Sequence, residues 1–141
     1  MASRRKARIY AFQALYGWSF TNEPVETLVE FSWIDEEKRN RIDDETLQFA
    51  RHLLIGTIEQ IEEIDELIRT QLDHWDFQRI SRVDLALLRM SVYALMFQRS
   101  IPSTVTIDEA VDIAKEYGSL ESYRFVNGVL DGVRKKHLGK T

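Results

Sequence analysis

An all-α fold is predicted by three observations. The 141-residue chain holds only two prolines and six glycines, no segment alternates apolar and polar residues for long, and its apolar residues recur at three- and four-residue spacing. A chain of this length fits one domain and buries roughly two-thirds of its unfolded surface, so a hydrophobic share of 44% forms a core without staples. The expectation is a single compact helical domain of about six to seven helices.

The first helix spans about 3–20. At about 100° per residue, Ala7, Tyr10, Ala11, Ala14, Leu15 and Trp18 share one face, and Arg5, Ile9, Phe12 and Tyr16 line the opposite one. Pro24 suits a first helical turn, where its missing N–H costs nothing, so a second helix runs through Trp33. Residues 35–44, charged in both signs, read as a solvated loop. The third helix is the clearest: Leu47, Ala50, Leu54, Thr57, Ile61, Ile64, Ile68 and Gln71 form one stripe about seven turns long, with Glu59, Glu62, Glu63 and Glu66 outside. HWDFQRIS interrupts the pattern. Ser81 and Asp84 then resemble an N-terminal capping pair for an apolar, central helix over about 81–99. Within it, Arg89 either snorkels or meets an internal carboxylate.

Pro102 ends that helix because the residue before a proline is biased away from helical dihedrals. Thr106 and Glu109 form a T-x-x-E capping box for a helix that stops at Gly118. The last helix begins near Ser119 or Glu121 and reaches Lys136, with Phe125, Val126, Val129, Leu130 and Val133 keeping helical spacing through Asn127-Gly128. Gly128 and Gly132, four apart, allow a neighbouring helix to come close.

The net charge of −4 conceals an asymmetry. Arg4, Arg5, Lys6 and Arg8 open the chain and Arg134, Lys135, Lys136 and Lys140 close it, with no acid in either ten-residue end. The 121 residues between them carry 11 cations against 23 acids, a balance of −12. An acidic body with basic ends favours local attraction to polyanions. On the first helix the cations stand among aromatic rings, a mixture that suits single-stranded nucleic acid, since cations neutralise phosphates and rings stack on unpaired bases. The alternative is a helix sandwiched between two layers with its basic end merely solvated. The last helix opens Glu121-Ser122-Tyr123-Arg124-Phe125, where Arg124 and Phe125 set a cation and a ring near free backbone N–H groups that can hold a phosphate. For the closing cluster, the negative end of the helix dipole is a sufficient structural reason.

Catalytic chemistry finds no support. The absence of cysteine excludes disulfides, thiolate nucleophiles and cysteine metal sites, and it is compatible with a reducing, cytoplasmic setting. His52, His74 and His137 are widely separated, with no H-E-x-x-H spacing, and neither a phosphate-binding glycine loop nor an isolated carboxylate pair is present. No cofactor and no metal is expected. No apolar run reaches a membrane span and no signal peptide is apparent.

Four stretches, RRKARIYAFQALYGW (4–18), RVDLALLRMSVYAL (82–95), IPSTVTIDEAVDIAKEYG (101–118) and RFVNGVLDGV (124–133), resemble the NusB family of bacterial transcription antitermination factors, in order and over nearly the whole chain. The resemblance implies two packed helical subdomains, about 1–74 and 75–141. It implies binding to the boxA element of RNA, a heterodimer with NusE, a small-subunit ribosomal protein, and work on rRNA transcription within an RNA polymerase antitermination complex. By position it sets the arginine-rich motif on Arg4, Arg5, Lys6 and Arg8, a second RNA-proximal patch on Glu121, Arg124 and Phe125, and partner contacts on Tyr16 and Asp84. Asp84 stands where a glutamate is familiar, so the shorter side chain weakens a contact there. Lys6 in place of arginine keeps the charge and loses the bidentate fork. The free protein is expected as a monomer or a homodimer. A helical protein-protein adaptor without intrinsic RNA binding is the alternative function, and salt-sensitive RNA binding separates the two.

Overall fold

The computed structural model describes residues 3–73 and 76–139. Eight α-helices and one 3-10 turn follow in order, with no strand among the described residues: α1 (Arg4–Thr21), α2 (Val25–Leu28), α3 (Glu36–Asn40), α4 (Asp44–Glu59), α5 (Ile61–Arg69), the turn (Phe77–Arg79), α6 (Arg82–Phe97), α7 (Ser103–Tyr117) and α8 (Ser122–His137). The fold is all-α, as the spacing predicts. The expected subdomain boundary falls on His74 and Trp75, which lie outside the described residues.

Apolar α6 is the centre. It packs against α1, α4, α5, α7 and α8 and buries Ala86, Leu87, Leu88, Met90, Val92, Ala94 and Leu95. Ser81 caps it, its hydroxyl accepting the Asp84 N–H at 3.1 Å. Arg89 meets an internal carboxylate: its Nε and Nη2 donate to the two oxygens of Asp65, each at 2.9 Å, while its guanidinium lies 5.7 Å from the Trp18 ring centroid. A nearly buried cation is thus neutralised by the geometry that suits it best, a two-pronged carboxylate contact.

Four expectations need correction. The helix after Pro24 ends at Leu28 instead of Trp33, because Phe31 takes a left-handed backbone (φ 51) that sends its ring into the core. That conformation is costly for a residue with a Cβ, and full burial of the ring against Tyr10 and Trp33 offsets it. The charged 35–44 connector contains α3. The seven-turn helix is broken at Gln60 (φ −105, ψ 20), which redirects the chain from α4, packed on α1 and α6, to α5, packed on α6 and α8. Lastly, Thr106 does not cap α7. The helix begins a turn earlier, with Pro102 as its cap, so the Thr106 hydroxyl is buried inside without a partner, and Glu109 turns to Arg5.

Glycines act differently from expectation too. Gly128 faces open space, and Gly132 receives the side chain of Gln71 instead of a neighbouring helix. The close approach occurs at Gly56, where an added Cβ would overlap the Tyr93 ring.

Candidate nucleic-acid interface

Ser3 starts α1, its hydroxyl accepting the Lys6 N–H at 3.3 Å, while its own backbone N–H donates to the Thr46 hydroxyl at 2.8 Å. This fixes the four-cation segment against α4, and the four side chains then diverge. Arg4 and Lys6 are exposed and have no carboxylate partner among the described residues. Arg4 lies over the Phe49 ring at 5.3 Å. Arg5 is tied to α7, donating to Glu109 through Nε and to Asp112 through Nη2 at 3.0 Å. The hydrogen bond it donates to Glu109 is the main reason its pKa rises.

Arg8 is only 6% exposed. It lines a small void with Leu53, Met90, Ser91, Ala94, Thr106 and Ala110, and its guanidinium sits 5.5 Å from the Phe49 centroid. Burial is the main cause lowering its pKa, Arg4 and Arg5 push the same way, and Glu109 opposes them. An arginine stays charged through such a shift. Two of the four cations therefore face solvent freely, and two are built into the scaffold.

α1 is covered on more than one side. Ala7, Tyr10, Ala11, Ala14 and Leu15 are buried, and so is Phe12, whose ring packs against Tyr117 of α7 at 5.4 Å. The layered alternative is thus realised in the middle of the helix. The second patch follows directly from Tyr117. Arg124 is exposed, donates from Nε to the Tyr123 hydroxyl at 3.0 Å and approaches Glu121 only to 3.9 Å. Lys115 stands over the other part of the same cluster, 5.2 Å from the Tyr123 centroid. Phe125 is half-buried against the core. In the sequence Tyr123 reads as a spacer between charged residues, although its neighbours Arg124 and Phe125 mark it.

Tyr16 is 38% exposed and makes an edge-on pair with Phe20, centroids 5.0 Å apart. Arg82 covers Phe20 at 4.4 Å and donates to the Ser19 carbonyl, so the end of α1 meets the start of α6. Asp84, two residues on, is 8% exposed, with Oδ1 buried and unpartnered. Sequence reasoning misses Phe20 and Arg82. The signal for Phe20 is its i, i+4 spacing from Tyr16. The closing basic cluster is partly neutralised, with Asp131 accepting from Arg134 at 2.6 Å and pairing with Lys135 at 3.0 Å, and Lys140 lies outside the described residues. Among the described residues no His, Cys, Asp and Glu group could hold a metal ion, and no helix is long and apolar enough to cross a membrane.

The family model described as the NusB family matches residues 5–135. A protein of Treponema pallidum (strain Nichols) named transcription antitermination protein NusB is 48% identical over 132 residues, 94% of this chain and 92% of that protein. The solved structure of T. maritima NusB superposes with a TM-score of 0.85 at 39% identity, covering 97% of this chain and 94% of the other. A chain from a crystal structure of antitermination factors NusB and NusE in complex with dsRNA gives a TM-score of 0.83 at 30% identity, covering 95% and 97%.

Proposed function

Because the chain belongs to the NusB family of transcription antitermination factors, which are not enzymes, we propose that it binds boxA-type RNA together with NusE and acts in rRNA transcription within an RNA polymerase antitermination complex, in the cytoplasm. The observation that carries this reading is the head of α1: Arg4 and Lys6 are exposed without carboxylate partners among the described residues, on a fold shared with a chain solved alongside NusE and RNA. Arg4 and Lys6 hold phosphates directly. Arg5 and Arg8 fix the helix that presents them, and Arg8 adds its charge from beneath the surface. Arg124, with Glu121, Phe125 and the adjoining Tyr123, forms the second contact region.

Tyr16 and Asp84 belong to the NusE surface. Tyr16 with Phe20 presents an exposed pair of rings beside the start of α6, where Asp84 keeps a small exposed fraction. An acidic body of −12 between basic ends cannot surround an RNA strand favourably, so the chain alone binds weakly and a basic partner docked beside α1 lengthens the positive track.

Dissociation constants for boxA and scrambled RNA, single- and double-stranded, measured with and without NusE at fixed salt, test the reading. NusE is expected to raise boxA affinity, and RNA to raise NusE affinity by the same factor, as linkage requires. NusE binding without salt-sensitive RNA binding in any arm returns the protein to the helical-adaptor alternative.

A further inference from the structure

Beside α1 runs a groove that the two contact regions leave unassigned. Its central cleft, about 430 Å³, is lined by Lys6, Tyr10 and Gln13 of α1, by Trp33, Asp35 and Lys38 of the 31–43 segment, and by Tyr117 at the end of α7. A second cleft of about 480 Å³ shares Lys6, Tyr10, Asp35 and Lys38 and continues toward Ser3. The groove therefore starts at the head of α1 and ends at Tyr117, four residues before Glu121.

Its lining combines exposed rings, the cations Lys6, Lys38 and Arg41, and the acids Asp35, Glu37 and Asp43. Trp33 and Tyr117 are 45% and 39% exposed, although rings of this size bury readily elsewhere in the chain. Trp33 is held in place, since its ring packs edge-on against buried Phe31 at 5.3 Å and its indole N–H donates to the Gln13 Oε1 at 3.2 Å. A fixed aromatic face loses little entropy on stacking. That hydrogen bond also orients Gln13, leaving its amide NH2 as a donor, and Asp35 adds a carboxylate acceptor to the same cleft. Lys6 and Lys38 line both clefts, and neither has an ion-pair partner among the described residues, in contrast to Arg41, which Glu37 holds at 2.7 Å.

We propose that this groove is a nucleotide-binding cleft for single-stranded RNA, in which a base stacks on Trp33 and Tyr117, Gln13 and Asp35 contact its edge, and Lys6 and Lys38 hold the flanking phosphates. The inference rests on the RNA-binding reading above and extends it to Trp33, Asp35 and Lys38, which lie outside the four matching stretches. It gives the strand a path from Arg4 to Arg124.

The test titrates a single-stranded boxA oligonucleotide into the full chain with NusE bound, for the wild type and for Trp33→Leu, Lys38→Gln and Arg4→Ala, with NusE affinity measured in parallel. Trp33→Leu is expected to weaken RNA binding about 5- to 150-fold, the range for loss of one base stack. Lys38→Gln is expected to reduce the slope of log affinity against log salt by about 0.7. Lys38 is exposed and makes no hydrogen bond or ion pair among the described residues, so that variant keeps the test valid even if Trp33→Leu unfolds. If Arg4→Ala lowers the slope while Lys38→Gln leaves both slope and affinity unchanged, the groove lies off the RNA path and the proposal falls alone. Absence of salt-dependent RNA binding in the wild type removes both readings. Loss of NusE affinity in the groove variants with RNA affinity intact makes the groove a protein-docking site and overturns the proposal.

Discussion

Arg4 and Arg5 are neighbours in sequence and opposites in situation, and the difference is measurable. Arg4→Ala should reduce the salt slope of RNA binding by about 0.7, the share of one phosphate on a single strand, and leave the melting temperature unchanged. Arg5→Ala should instead lower the melting temperature slightly, by an amount that fades at high salt. It breaks exposed ion pairs to Glu109 and Asp112, each worth about 0–1 kcal/mol. Tyr16 offers a second contrast. Because its ring is partly exposed and rests mainly on Phe20, Tyr16→Asp should abolish NusE binding with melting unchanged. A drop of many degrees would return that side chain to the core. Sequence could name these residues as cations and rings but could not rank them. Nothing local distinguishes Arg8 from Arg4, since burial of Arg8 is decided by Leu53, Met90 and Ala110, contributed by three later helices.

At the level of the helix, features set by near neighbours were legible and those set by distant ones were not. Ser81 as a cap and the 47–57 stripe follow from spacing alone. The bend at Gln60, the left-handed Phe31 and the early start of α7 answer to tertiary packing, so their sequences read as uninterrupted helix, longer helix and capping box. Lys38 and Trp33 escape notice for the same reason: a charged connector looks solvated until α1 is laid beside it. Two glycines test this division. Gly56→Ala should destabilise by about 1–3 kcal/mol, because the Cβ overlaps the Tyr93 ring in a packed contact. Gly128→Ala, facing open space in mid-helix, should stabilise by about 0.5–1 kcal/mol. Urea denaturation reads both signs. The start of α4 carries a pH signature as well. Hydrogen bonds from Thr46, whose N–H reaches the Asp43 carboxylate at 2.8 Å, lower the Asp43 pKa from its usual range. A depressed folded-state pKa gives stability that is present above the unfolded value, near pH 4, and is lost as pH falls through the folded one. Asp43→Ala should lower melting by a few degrees at pH 7 and converge with the wild type in acid.

Across the whole molecule, charge and connectivity tell one story. Lys6 and Lys38 line one groove that runs beside α1 from Ser3 to Tyr117, while Arg79, Arg99 and Lys136, also exposed and without an ion pair among the described residues, line neither of its clefts. Engagement of about four phosphates would give an overall salt slope near −3 for a single strand. The tie between Arg5 and α7 carries a further consequence, for synthesis. Arg5 and its carboxylate partners are 104 and 107 residues apart in the chain, and Phe12 waits for Tyr117 across a similar interval. During translation α4, whose Thr46 and Phe49 meet the head of α1, follows α1 out of the ribosome early, whereas the side of α1 that meets Glu109, Asp112 and Tyr117 stays open until α7 is made. A nascent chain halted before residue 103 would therefore hold α1 against α4 and α6 but leave Arg5 without its carboxylate partners, free to meet any polyanion nearby, the ribosome's own RNA included. The carboxylates that take Arg5 out of competition for RNA are thus among the last parts of the chain to be made.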